Sequence, residues 1–511
     1  MKRYIPVYYL LLIALISLVG CEKSNLKPKP DVDNDLLVVS QFVYDGMSAY
    51  YLWDNEVVDK KPTEQDIDPE KYFYSLLSET DTEHGWSWIT DDIESLMKGF
   101  AGEAVDEFGF NVLSMWFDDE HTQIVGVIRY VYANTPADAA GFKRGQVITH
   151  INGEKMTLDN YMVMHGSNKS ETFTVLDQNL ENPVDITVSP ASFDANTVLH
   201  YDVIEEQAID GQTHKIGYLF YTGFRPQFNQ DLIEAFNYFQ SENIDDLVVD
   251  LRYNLGGSIS AAAYLASLIA PRAEVQNKSV LSIMSYNDFV NEQYDKNEWA
   301  RSTHMGGFSE GETDPLSANS DLGKVYIIAQ RSSASASELL TFCLRPYMDV
   351  VHIGEKTAGK YTASWTVHAY DNFAIGSQAR AQTIYNAKKL PDKFKAVLKN
   401  WGMQPIVGRY TDANGTDFID NNGLLPDYMI ESQEYNPGTW KPIGDPEDYL
   451  LAKAISLITG NPYASQQTRS VEALGKFDFN LMKVADKIAR EAVIMDTPQL
   501  LPPLETIFIE E

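Results

Sequence analysis

Residues 246–269 read DLVVDLRYNLGGSISAAAYLASLI and join an apolar strand to a helix through a loop with two adjacent glycines. We expect the strand at 246–251, because a short apolar run suits a buried strand, and the helix at 261–269. Strands and helices alternate in this way over residues 215–353. This alternation predicts an α/β layer with a largely parallel sheet. In such sheets, functional groups gather at the carboxyl ends of the strands.

A second strand end carries a run of serines, SSASASE at 332–338, between a predicted strand at 325–329 and a helix that follows. Ser335 in this run would lie close to the free N–H groups of a helix N-terminus, which favour developing negative charge. Ser335 followed three residues later by Glu338 also fits a capping box. The residues alone leave both interpretations open.

A third strand end is followed by GEKTAGK at 354–360. A lysine after a strand is more often an exposed surface charge than a functional group. Lys360, however, follows the small residues Ala358 and Gly359, which leave room for its side chain to turn inward. This pattern permits a buried amine but does not require one.

Taken in this order, the three segments resemble the C-terminal processing peptidases, also called tail-specific proteases. The segment NGLLPD at 422–427 is similar to the piece that closes the catalytic domain of that family, so the resemblance covers residues 101–431. It implies a multidomain α/β protein with a ClpP/crotonase-like core and a serine endopeptidase activity. The substrates implied are polypeptides with exposed, unstructured C-terminal tails, and no cofactor is implied.

The same resemblance assigns catalytic roles. Ser335 would be the nucleophile and Lys360 the general base, while the oxyanion would be held by N–H groups of Ala336 and of either Gly256 or Gly257. A lysine with an ordinary pKa of about 10.4 is protonated at neutral pH and cannot accept a proton. Burial lowers that pKa, so we expect Lys360 to be desolvated and within hydrogen-bond reach of Ser335.

Two positions depart from the family pattern. Ser364 stands where relatives often have a glutamine four residues after the lysine, and Pro346 stands where they often have an aspartate eleven residues after the serine. The nearest acid to the second position is Asp349. Because these departures affect the surroundings of the dyad, a non-catalytic module that binds peptides or small apolar ligands on the same scaffold stays as an alternative.

Residues 101–198 are predicted to be rich in β-strands. The triplet Phe108, Gly109 and Phe110 precedes a β-rich run at 123–132, and a later alternating segment ends in Asn-Gly, a tight-turn signal. The order resembles a PDZ domain of the bacterial protease type, which precedes or is inserted into the catalytic domain. In such domains the glycine-aromatic loop binds the carboxylate of a peptide tail, and the peptide adds as a strand to the sheet edge.

The first twenty residues have the pattern of a signal peptide, with a basic start and an apolar stretch at 5–19. The ending Leu-Val-Gly-Cys resembles the lipobox of bacterial lipoproteins, which implies acylation of Cys21 and anchoring to a membrane of the cell envelope. An ordinary cleaved signal with an incidental cysteine is the alternative. Residues 21–35 would be a polar tether.

The remaining chain divides into three parts. We expect a small helical and aromatic cap at 36–100, a Ser-Lys peptidase domain at 199–431, and a C-terminal extension at 432–511. The extension contains a helical stretch at 479–494 and carries no predicted function.

Composition excludes several classes of protein. The net charge of −33 over 511 residues argues against a nucleic-acid partner. Two cysteines, Cys21 and Cys343, exclude a disulfide framework and a four-cysteine zinc site. We expect Cys343 in a core, His352 and His368 in structural roles, and a turn rather than a calcium loop at 412–417.

Overall fold

The computed structural model describes residues 34–100, 103–117, 120–375, 379–419, 422–434, 437–463 and 500–504. The predicted signal peptide, Cys21, nearly all of the tether and the helical stretch at 479–494 lie outside these residues. Within the described ranges, no helix combines the length and the apolar character needed to cross a bilayer.

The N-terminal part is mainly helical, and short polar caps fix where its helices begin. Asp68 accepts a hydrogen bond from the N–H of Lys71, and Ser78 accepts one from the N–H of Asp81. Gly85 ends the third helix in a left-handed conformation. The elements are α1 (Asn34–Tyr50), α2 (Pro69–Leu76), α3 (Glu79–His84), β1 (Trp88–Thr90) and α4 (Ile93–Phe100).

The next part is a small β domain. Its main sheet has the order β3-β4-β5-β7-β8, with β6 beside β5, and all of its pairings are antiparallel. Phe108 and Phe110 are buried in its core. The elements are β2 (Glu103–Glu107), β3 (Phe110–Trp116), β4 (Ile124–Val131), α5 (Pro136–Ala140), β5 (Val147–Ile151), β6 (Glu154–Lys155), β7 (Glu171–Leu176), β8 (Val184–Val188) and β9 (Ala191–Asp194).

A six-stranded sheet with the order β10-β11-β12-β15-β16-β24 forms the centre of the molecule. Only β10 runs antiparallel to its neighbour. The elements as far as β16 are β10 (Val198–Gln207), β11 (Thr213–Tyr221), α6 (Asn229–Glu242), β12 (Asp246–Asp250), α7 (Ile259–Ile269), α8 (Arg272–Gln276), β13 (Val280–Tyr286), α9 (Asp288–Lys296), β14 (Ser302–His304), β15 (Lys324–Ala329), α10 (Ala336–Cys343) and β16 (Asp349–Gly354).

The later elements complete this sheet and two smaller ones, with the orders β14-β13-β23-β17 and β1-β22-β18-β21. They are β17 (Thr362–Ser364), β18 (Val367–His368), β19 (Ala374–Ile375), β20 (Ala379–Arg380), β21 (Gln382–Thr383), α11 (Asp392–Leu398), β22 (Gly402–Gln404), β23 (Ile406–Asp412), β24 (Tyr428–Met429) and α12 (Tyr449–Thr459). Because β1 pairs with β22, the N-terminal part shares a sheet with the later part of the chain.

Alternating side chains of the central sheet enter two different cores. Leu219 and Val249 point into one core with α6, α7 and α10, whereas Tyr218 and Val248 point into the other with α12. Since successive residues of a strand face opposite sides, helices cover both faces of the sheet. The predicted α/β class with strand-helix alternation is therefore confirmed, and α12 of the C-terminal region packs on the central sheet.

Candidate active site

Ser335 lies between β15 and α10, at the carboxyl end of the central sheet. Its backbone has φ 53° and ψ −111°, a conformation that an L-residue rarely adopts and that surrounding contacts must maintain. The side chain is 7% exposed. The strained turn places the hydroxyl beside the N-terminus of α10, where the helix favours negative charge.

The other hydroxyls of the serine run hold this turn against the loop after β12. Ser332 donates to the carbonyl of Arg252 (2.7 Å), and Ser333 donates to that of Leu251 (2.7 Å). Ser337 donates to the carbonyl of Asn254 at 2.9 Å. Ser335 makes no such bond to this loop; it is the N-cap residue of α10 and remains the candidate nucleophile.

The two glycines after β12 have different surroundings. A Cβ atom on Gly256 (φ +107°) would lie 2.8 Å from the Cβ of Ser335, so the glycine permits close approach. The N–H of Gly256, however, donates to Asn254 Oδ1 at 2.8 Å. Among the described residues, the N–H groups of Gly257 and Ala336 have no such partner, so they are the better candidates for an oxyanion hole.

Lys360 is buried, with 2% of its surface exposed. Burial lowers the pKa of its ammonium to about 7, although the negative charges of Asp81 and Glu338 oppose the shift. Within the described part of the chain, Nζ has no hydrogen-bond partner, so the bond expected from Ser335 is not formed. Catalytic hydrogen bonds are often long before a substrate binds and tighten in the complex.

The carboxylate of Glu338 joins the segments that carry the serine and the lysine. It accepts hydrogen bonds from the N–H groups of Ser335 (2.9 Å), Gly359 (2.7 Å) and Lys360 (2.8 Å), and from the hydroxyl of Thr357. The capping interaction suggested by the sequence is thus present and compatible with a catalytic Ser335. Burial raises the pKa of Glu338, although these hydrogen bonds favour the ionised form.

Two further residues that the sequence reasoning missed reach the site from distant segments. Asp81 is fully buried, and its carboxylate accepts hydrogen bonds from the Tyr51 hydroxyl (2.8 Å) and the Ser87 N–H (2.9 Å). The hydroxyl of Tyr410 on β23 donates to the carbonyl of Ser335 at 3.2 Å. Neither residue belongs to a recognisable motif, because the contacts arise only on folding.

The two departures from the family pattern differ in burial: Ser364 is buried, whereas Pro346 is exposed. Ser364 is fully buried on β17, and among the described residues its hydroxyl has no hydrogen-bond partner. Pro346 and Asp349 are both exposed. The surface position of these two residues keeps them out of the buried surroundings of Lys360.

The two histidines weighed as alternative bases have structural surroundings. Nε2 of His352 lies 3.3 Å from the carbonyl of Ala329, and burial lowers the pKa of this imidazole to about 4. Nδ1 of His368 accepts hydrogen bonds from the N–H groups of Tyr370 and Asp371. These contacts leave neither imidazole bonded to Ser335.

The other candidates set aside from the sequence also take structural roles. Cys343 is fully buried in the main core. Asp412 accepts the N–H groups of Asn414 and Thr416, both at 2.8 Å, as in a turn. In the part of the chain that the structure describes, no group of three or more His, Cys, Asp and Glu side chains could hold a metal ion.

The predicted peptide-binding loop lies at the start of β3, the edge strand of the small β domain. Gly109 has φ +100°, and its carbonyl accepts the N–H of Tyr132 at 2.8 Å. Because the rings of Phe108 and Phe110 are in the core, the loop can contact a ligand mainly through its backbone. Beside β3, Ser114 Oγ lies 3.1 Å from His165 Nε2.

Three segments of the chain match models of known protein families. Residues 215–430 match the model of peptidase family S41, residues 39–88 that of the S41 N-terminal domain, and residues 127–172 that of the PDZ domain. Residues 215–430 are thus similar to the peptidase domain of family S41. The expected class of enzyme, a serine-type peptidase, is thereby confirmed, as is the presence of a PDZ domain.

Individual relatives are distant in sequence. A carboxyl-terminal-processing protease of Synechocystis is 23% identical over 349 residues, 67% of each chain. The carboxy-terminal processing protease CtpB of Bacillus subtilis is 24% identical over 345 residues, 64% of this chain and 61% of its own. A solved S41 protease structure from Bacteroides fragilis has a TM-score of 0.60 at 24% identity, covering 82% of this chain and 97% of that one. The similarity to the Bacteroides fragilis structure supports an S41-like fold for this chain.

Proposed function

We propose that the protein is a serine endopeptidase that cleaves exposed, unstructured C-terminal regions of proteins with a dyad of Ser335 and Lys360. The observation that carries this proposal is the buried Lys360 amine, whose pKa of about 7 leaves a large neutral fraction near neutral pH. The S41 domain match and the carboxyl-terminal-processing relatives support it.

In the proposed reaction, the Ser335 hydroxyl oxygen attacks the carbonyl carbon of the scissile peptide while Lys360 Nζ accepts the hydroxyl proton. The N–H groups of Gly257 and Ala336 stabilise the oxyanion. When the tetrahedral intermediate collapses, the ammonium of Lys360 returns this proton to the leaving amine. Lys360 then accepts a proton from a water molecule, whose oxygen attacks the Ser335 ester. As the bond to Ser335 Oγ breaks, the ammonium returns the proton to Oγ and the carboxylic acid product leaves.

The PDZ domain would bind the tail of the substrate through the Gly109 loop and the edge of β3. Its contacts with the catalytic part support a linked action. Arg144 donates to the hydroxyl of Tyr253 at 3.0 Å, three residues before Gly256 in the oxyanion loop. Arg129 pairs with Glu434 at 3.2 Å. A ligand that shifts these arginines would therefore act on a loop next to the nucleophile.

We further propose that the mature protein is a lipoprotein anchored to a membrane of the bacterial cell envelope through acylated Cys21. The support is the signal-like stretch that ends in Leu-Val-Gly-Cys. Metabolic labelling with an alkyne fatty acid tests it: the native chain should take up label, and a Cys21→Ser variant should not. Equal labelling of the two proteins would refute the anchor.

Cleavage of a fluorescent protein that carries an unstructured C-terminal tail tests the catalytic assignment. Ser335→Ala and Lys360→Ala should each lose nearly all activity. Lys356→Ala serves as the matched control, because Lys356 is exposed in the same segment as Lys360. Wild-type cleavage rates in Ser335→Ala would contradict the mechanism. A wild-type protein that cleaves no tail would favour the non-catalytic binding module.

A further inference from the structure

Residues 500–504 are bound in a groove between α1 and β21. Leu501 is 3% exposed and joins the main hydrophobic core, against which Leu504 also packs. Pro502 and Pro503 are exposed. The groove is lined by Tyr50, Gln382 and Ile384, and we call it the β21 groove.

The side chain of Gln382 binds the peptide backbone of Leu501 on both sides. Its Nε2 donates to the Leu501 carbonyl at 3.1 Å, and its Oε1 accepts the Leu501 N–H at 3.0 Å. Nε2 is also within hydrogen-bond distance of the Thr383 carbonyl (2.9 Å) and the Tyr50 hydroxyl (3.2 Å), so its two hydrogens serve three acceptors. Gln382 is fully buried, and its Oε1, which accepts the Leu501 N–H, would cost about 1–3 kcal/mol if left without a donor. The groove is therefore matched to a peptide main chain.

The bound sequence Leu-Pro-Pro-Leu suits this groove. A third main-chain bond joins the Leu504 N–H to the carbonyl of Ile384 at 2.8 Å. In a polyproline II segment, with three residues per turn, residues three apart face the same side, so Leu501 and Leu504 can both contact the core. The two prolines lack an N–H and face solvent, where no donor is needed.

We propose that the β21 groove is a second peptide-binding site, whose ligand is the chain's own Leu-Pro-Pro-Leu segment, and that this binding withholds the segment from the catalytic site. The second clause rests on the proposed function, because an exposed, unstructured stretch is the class of substrate proposed above. A peptidase binds its substrate as an extended chain with free main-chain groups. In the groove, both N–H groups of the segment are already occupied.

Hydrogen exchange tests the binding itself without any need for activity. In a Ser335→Ala background, the amides of residues 501 and 504 should exchange at least about tenfold more slowly than in the same chain carrying Leu501→Asp and Leu504→Asp, after correction for intrinsic rates. Pro503→Ala, which changes an exposed residue of the segment, should keep the protection. Gln382→Met, which alters the groove instead of the segment, should lose it. Fast exchange in the parent chain would refute the site.

Intact-mass measurement of the active enzyme tests the consequence. The Leu501→Asp/Leu504→Asp protein should be cut within residues 500–511 during incubation, whereas the wild-type and Pro503→Ala chains should stay intact. A double variant that stays intact while it cleaves a reporter tail at the wild-type rate would refute the withholding role alone. If the wild-type chain cleaves no reporter, the proposed function fails, and the exchange experiment still decides whether the groove binds its segment.

Discussion

At the scale of the residue, the reactivity of Lys360 depends on the balance between burial and nearby charge. Burial lowers the pKa of its ammonium, and the carboxylates of Asp81 and Glu338 raise it. In the proposed mechanism, the amine must be neutral to accept the proton of Ser335. Cleavage should therefore increase as the pH rises through about 7 and should then level off.

Asp81→Asn tests this balance. Removal of the negative charge should lower the pKa of Lys360, so the acid limb of kcat/KM against pH should move below that of the wild-type enzyme. Glu83→Gln, which changes an exposed acid on the same helix, should leave the limb in place. A limb that does not move in Asp81→Asn, with the fold intact by circular dichroism, would contradict the assignment of this charge.

The same burial predicts a cost in stability. The pKa of Lys360 is about 7 in the folded chain and about 10.4 when unfolded, so between these values the unfolded state binds the extra proton. At pH 8, Lys360→Met should raise the free energy of unfolding by about 1–3 kcal/mol, measured by urea denaturation. Lys356→Met at an exposed position should change it little. A loss of stability in Lys360→Met would contradict the account.

At the scale of the element, Glu338 fixes the N-terminus of α10 to the segment before β17. Four donors converge on its carboxylate, and the amide NH2 of a glutamine would face some of them. Glu338→Gln should lower kcat about tenfold or more and destabilise the fold by about 1–3 kcal/mol. Unchanged kcat with unchanged stability would show that this link does not position the dyad.

The sequence predicts much of the candidate site because its parts follow β12, β15 and β16, which are neighbours in the central sheet. Ser335, Lys360 and the glycine pair each lie in a short segment whose local pattern is readable. The choice of Gly257 over Gly256 depends on the direction of the Asn254 side chain, which no local pattern gives. The long-range partners Asp81 and Tyr410 likewise cannot be predicted from a local sequence pattern.

At the scale of the whole molecule, segments far apart in the chain complete the catalytic layer. The Ile406 N–H donates to Ser87 Oγ at 2.9 Å, and the Leu52 N–H donates to the Ile406 carbonyl at 2.8 Å. Trp86 contacts Tyr361, the residue after Lys360, with ring centroids 5.5 Å apart. The N-terminal part predicted as a cap thus packs beside the candidate active site.

The C-terminal region is tied to the catalytic layer by a buried ion triad. Arg252 is bound between Asp250 and Asp448, each at 2.7 Å, and all three are at most 1% exposed. Asp448→Asn keeps an acceptor for the first turn of α12 but removes the charge. It should destabilise the chain by about 3–5 kcal/mol, measured by urea denaturation. Glu447→Gln, at an exposed neighbouring site, should cost far less, and equal effects would contradict the role of the triad.

The most direct test of the account is the titration of the Lys360 amine itself. The protein can be labelled with lysine carrying ¹³C at Cε, and the signal assigned by its disappearance in Lys360→Arg. The chemical shift, followed by NMR against pH in the folded chain, should report a pKa of about 7 for Lys360. A midpoint near 10.4, the value of an exposed lysine, would contradict the proposal that this amine is the general base.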